Sequence, residues 1–157
     1  MRLDYFHNFF ILESYHETVL YEATAGSLLP EGYYVFTESY CCNINCDCKA
    51  VAIEIELKSK LDPIEFNIKE PPIAILKYTW TKPISINNPY IQDNSTDLPL
   101  AKIGLKIFTD YLESNSEYIK WLHKHYLMMK EVGRKWEVDQ RVAPPIACKN
   151  TAKSWTK

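Results

Sequence analysis

Four of the chain's five cysteines fall within eight positions, in the stretch Tyr40-Cys41-Cys42-Asn43-Ile44-Asn45-Cys46-Asp47-Cys48-Lys49. In a reducing compartment, clustered thiols point to metal binding or catalysis rather than to disulfides. Zinc is the natural occupant, because it takes four soft or borderline ligands, normally thiolate or imidazole, in a tetrahedron. Cys46 and Cys48 are two apart and can converge on one ion from a tight turn. Cys41 or Cys42 can reach the same point from the end of the preceding segment. Neighbours on an extended strand point to opposite faces, so the two together make an awkward pair of ligands. Three local sulfurs and a distant fourth ligand is the expected count, with His125, His123, Cys148 and the spare thiol of the Cys41/Cys42 pair as candidates. The alternative is that the thiols are small buried apolar groups. Packing alone, however, gives no reason to concentrate four of them in one loop.

The cluster needs elements to position it. Tyr33–Tyr40 is dense in aromatic and β-branched residues and reads as a strand. Residues 50–57 alternate, with Val51, Ile53, Ile55 and Leu57 on one side and Glu54, Glu56 and Lys58 expected to face water. The two form a hairpin whose loop is the cysteine cluster. Residues 73–80 make a third strand entered from Pro71-Pro72, and short connections predict an antiparallel meander. Residues 3–23 have an ambiguous period and are expected to form a short helix or turn followed by a strand. Residues 81–99, with Asn88-Pro89, read as a long irregular loop. Two helices follow, over about 100–112 and from Ser114 or Ser116 to near Gly133. The second carries the stripe Tyr118, Leu122, His125 or Tyr126, and Met129, of the kind that packs on a sheet.

At 157 residues and 46% hydrophobic, the chain supports one core. We expect a single α+β domain over 1–135 and a basic C-terminal tail over 136–157. No stretch approaches the ~20 apolar residues of a membrane span. The start Met1-Arg2-Leu3-Asp4-Tyr5 has no signal-peptide pattern, so a cytoplasmic protein is expected. Net charge is −2, but from Lys120 onward nine Lys/Arg face three acids, leaving residues 1–119 strongly acidic. The basic end could meet nucleic acid through Lys149, Lys153 and Lys157, or an acidic partner, or the protein's own body. Catalytic patterns are missing: there is no H-E-x-x-H, G-x-S-x-G, P-loop or G-x-G-x-x-G, and thiolate-rich zinc sites are normally closed and structural.

The pattern Tyr40-Cys41, four residues, Cys46-Asp47-Cys48-Lys49 resembles the YC-x4-CDC-[RK] knuckle of a family of uncharacterised bacterial proteins described as zinc-binding and often carrying SEC-C-like tails. Asn88-Pro89 and Tyr118-Ile119-Lys120-Trp121-Leu122-His123-Lys124-His125-Tyr126 fall at corresponding places, so the resemblance spans about residues 30–130. It implies structural zinc on Cys41, Cys46, Cys48 and His125, with Cys42 as the extra thiol. The tail departs from the family, keeping Cys148 and lysines but lacking the glycines and second thiol of a SEC-C motif. The family brings no activity with it. The expected function is an interaction or accessory module with a protein partner, contacting it through loop 81–99 and the tail. The competing readings are a metal-dependent enzyme with an open zinc position and a nucleic-acid-binding protein.

Overall fold

The computed structural model describes residues 3–58, 71–92 and 98–138. Among these residues six strands form one antiparallel sheet: β1 (Leu3–Tyr5), β2 (Val19–Ala23), β3 (Gly32–Cys41), β4 (Val51–Lys58), β5 (Ala74–Tyr78) and β6 (Tyr90–Ile91). Three helices accompany it: α1 (Ile11–Glu17), α2 (Leu98–Ser114) and α3 (Ser116–Val138). The order is β1-β3-β4-β5-β6, and β2 shares with β1 the edge of β3 that β4 leaves open. Leu3 stands opposite Cys41, while Val19–Ala23 runs opposite Phe36–Gly32. β3 thus pairs with three strands, β1, β2 and β4, and the α+β class and the β3-β4-β5 meander agree with the sequence reading.

Alternation along the strands divides the sheet into two faces. Tyr34, Phe36 and Tyr40 of β3, Val51, Ile53 and Ile55 of β4, and Ala74, Leu76 and Tyr78 of β5 form the face under the helices. Ala101, Phe108 and Leu112 of α2 pack there with Tyr118, Leu122, Tyr126 and Met129 of α3. The predicted α3 stripe is therefore the buried one. Gly104 of α2 lets that helix close on the sheet, since a Cβ there would stand 3.1 Å from Ala74 and 3.2 Å from Ile55.

The N-terminal segment forms the expected short helix and following strand, α1 and β2, and adds β1 and a 3-10 turn at Phe6–Asn8 before them. Three expectations are corrected. The described part of the expected loop, residues 81–92, is more regular than its composition suggests. Asn88 precedes a cis proline and is buried, accepting from Thr79 N–H and donating to the carbonyls of Thr79, Lys82 and Pro83, and β6 follows. α3 does not stop at Gly133 but continues to Val138. The last correction is that Glu54 and Glu56 are buried rather than solvent-facing. Tyr5 Oη donates to Glu54, and Thr37 Oγ1 donates to Glu56. The tail 139–157, with Cys148, lies outside the described residues.

Burial, reinforced by Glu54, pushes the Glu56 carboxyl up to about 8. The folded chain therefore binds a proton there that the unfolded chain has lost above its ordinary value near 4.5. Stability must fall as pH rises from that value to about 8 and level off beyond. Glu56→Gln, which stays neutral, should flatten this part of the profile and raise stability at pH 8 relative to wild type. Denaturant midpoints at pH 5, 6.5 and 8 check it, and an identical slope in both proteins would refute the assignment.

Candidate metal centre

The loop between β3 and β4 folds by short-range hydrogen bonds. Asn43 Oδ1 accepts the N–H of Asn45 (2.9 Å) and the Asn43 carbonyl accepts that of Cys46 (3.2 Å). Lys49 N–H then bonds the Asp47 carbonyl and Ala50 N–H the Cys48 carbonyl. Asn and Asp favour such turns because their side chains bond the backbone two residues on. The result carries Cys46 and Cys48 back to the end of β3. The Sγ atoms of Cys41, Cys46 and Cys48 all lie within 4.8 Å of one another. Sulfurs bound to one zinc ion at ~2.3 Å in a tetrahedron stand about 3.8 Å apart, so a closure of about 1 Å at most would seat all three on one ion. Three of the four expected ligands are therefore close enough to hold a metal ion.

The donors are chemically suited to this. The thiol of Cys48, the backbone N–H of Asn43 and the ammonium of Lys130 all favour a Cys41 thiolate, lowering its pKa to about 5 against the opposing effect of burial. Cys48 is held as the thiol, chiefly because it donates to Cys41. A metal ion would replace these protons. Tyr126 of α3 faces the cluster. Burial first, then the charges of Cys48, Asp47, Cys46 and Cys41, push its phenol up to about 12.

The structure does not bring the fourth expected ligand there. His125 is buried elsewhere, with Nδ1 2.6 Å from Glu38 Oε2 and Nε2 2.5 Å from Glu17 Oε2. Both ring nitrogens are engaged by acceptors, so the imidazole has no lone pair for a metal. Desolvation works against its charge, but the two carboxylates outweigh it and hold its pKa above the ordinary histidine value. Phe6 stacks on the ring with centroids 3.9 Å apart, and Tyr40 Oη donates to the same Glu38 oxygen at 2.8 Å. This is an ionic lock joining α1, β3 and α3. His123, the other helical candidate, is exposed and packs against Trp80. Cys42 packs among the core residues under the helices, whereas Cys41 clusters with Leu3 and Ala52, separate from the main core. The four described cysteines form no disulfide.

Sequence reasoning missed three residues that build the centre. Lys130 Nζ donates to the carbonyls of Asn43 (2.5 Å) and Cys46 (2.9 Å). Gly133 lies against the Cys42 carbonyl so closely that a methyl there would overlap it. With Tyr126 these form an i, i+4, i+7 stripe on α3, and the glycine inside a helix was the available signal.

No protein-family model matches the chain, and neither a curated protein nor a solved structure shows significant similarity to it.

His125→Ala should leave the metal content of the protein unchanged while removing the lock's cation. Breaking a buried pair from one side costs roughly 3–5 kcal/mol, to be read from denaturant unfolding. Because the folded imidazole has a raised pKa, its contribution is complete below the ordinary histidine range and is lost as pH climbs through that raised value. The variant's deficit should accordingly shrink in alkaline buffer. Metal lost along with the imidazole would contradict the geometry.

Proposed function

We propose that the chain is a zinc-held interaction module, in which a structural zinc on Cys41, Cys46 and Cys48 fixes the tip of the β3–β4 hairpin for contact with a protein partner. The observation that carries this reading is the convergence of three thiols from a strand end and a turn-rich loop. Zinc suits them because it is borderline-soft and takes whatever geometry its ligands offer. Among the described residues no further cysteine or histidine joins these three. Cys148 is the candidate within the chain. The knuckle pattern shared with the bacterial zinc-binding family supports the same ion.

An interaction role is supported by what surrounds the site. Thr79 Oγ1 donates to the Lys49 carbonyl at 2.6 Å, so the ordered loop after β5 stands beside the knuckle. That loop holds Ile86 92% exposed on a tight turn closed by paired Ser85–Asn88 backbone bonds. Ile44 of the knuckle is also exposed. Burying an aliphatic side chain that is already ordered contributes about 1.5–3 kcal/mol with little entropic loss. Among the described residues no helix is long and apolar enough to cross a membrane.

Protein purified without added metal should carry one zinc per chain, measured by mass spectrometry under native and denaturing conditions. Cys46→Ser should lose the zinc and lower the melting temperature by about 10 °C or more, since structural zinc contributes several kcal/mol and each shifts a domain of this size by ~2–4 °C. Metal loss with an unchanged melting curve would refute the structural role.

A further inference from the structure

We propose that the C-terminal half of α3 is part of the metal centre, with Lys130 and Gly133 as positioning residues, so that metal occupancy and the order of residues 127–138 are linked. The inference rests on the zinc reading above and concerns how that site is regulated.

The argument begins at the strand end. Cys41 supplies a sulfur, and the next residue, Cys42, turns its side chain into the core. Its carbonyl faces Gly133, and any side chain at that position would drive α3 away. One residue thus separates a metal ligand from the closest approach of the helix. Three residues earlier in the helix, Lys130 donates to two carbonyls that bracket the first turn of the knuckle, those of Asn43 and Cys46. A single ammonium can reach both only while that turn is folded. The same turn brings Cys46 back to Cys41. The Lys130 ammonium lies over the Tyr126 ring, 5.4 Å from its centroid, and Tyr126 in turn packs edge-on against Trp80. The helix therefore holds the knuckle by its backbone, while the metal would hold the knuckle by its sulfurs.

The other half of α3 is held differently. Tyr118 and Leu122 are core residues, and His125 is locked to Glu38 and Glu17. None of these contacts touches the knuckle. Beyond residue 126, the helix keeps Met129 in the core and Trp136 against Phe9, with ring centroids 5.5 Å apart, besides its knuckle contacts. Stripping the metal should loosen the turn, release Lys130 from its acceptors and leave residues 127–138 held by Met129 in the core and by Met128 and Trp136 packed against it. The linkage is reciprocal: damage to the helix contacts must weaken the metal. Metal-site partners beyond the ligands themselves typically set affinity by 10–100-fold.

The test pairs metal affinity with hydrogen exchange on the full chain. In competition with a chromophoric chelator, Lys130→Met should bind zinc about 10–100-fold more weakly than wild type. Lys130→Arg, which keeps the charge and the donors, should recover most of that loss. Gly133→Ala should weaken binding as well. On chelation of wild type, amide exchange should accelerate over 41–50 and 127–138 and stay unchanged over 116–124. If wild type binds one zinc but Lys130→Met matches its affinity, or if exchange over 127–138 ignores the metal, the linkage is refuted and the zinc reading stands. If wild type binds no zinc, both fall together.

Discussion

Helix α3 meets strand β3 at two points, and the rest of the structure follows from how each is made. At the first, a buried carboxylate on an otherwise apolar sheet face has to be neutralised. Glu38 occupies a helix-facing position between Phe36 and Tyr40, where an unpaired charge would cost several kcal/mol. His125 answers it from α3, Glu17 answers the other ring nitrogen from α1, and Tyr40 adds a hydroxyl. At the second, the strand runs out and the chain turns. There Cys42 and Gly133 touch backbone to backbone, and Lys130 closes the turn. The first point orients the helix, and the second uses the helix to shape a site.

This division explains why the cysteine pair is not redundant. Extended backbone sends adjacent side chains to opposite faces, so Cys41 and Cys42 serve different layers. Cys41 joins Cys46 and Cys48 in a small cluster with Leu3 and Ala52, separate from the main core. Cys42 fills the core beneath the helices. A thiol that looks spare in the sequence is a packing residue whose carbonyl seats the helix.

Much of this was legible in the sequence where one periodicity ruled. The β3–β4–β5 meander, the cysteine-bearing hairpin tip and the α3 stripe from Tyr118 to Met129 all followed from alternation or helical spacing. What failed had two readings of comparable weight. Gly133 reads as a helix stop, but in this fold it is a close-packing residue, and only the position of the Cys42 carbonyl distinguishes the two. His125 reads as a zinc ligand because it falls at the histidine of the resembled motif. Its partners turned out to be Glu38 and Glu17, which lie 87 and 108 positions away in sequence. Glu54 and Glu56 alternate like solvent-facing residues, yet are buried with hydroxyl donors from Tyr5 and Thr37. Such long-range pairings leave no local signature. Of the four residues the sequence reading put forward, the geometry brings the sulfurs of Cys41, Cys46 and Cys48 together and holds His125 elsewhere.

The central claim is that one metal ion is held by the sulfurs of Cys41, Cys46 and Cys48 and not by His125. X-ray absorption at the metal edge of the purified protein tests it most directly. The account predicts a first shell with at least three sulfur neighbours at ~2.3 Å, the same in wild type and His125→Ala. A shell dominated by nitrogen or oxygen, or a sulfur count that falls when His125 is removed, would contradict it.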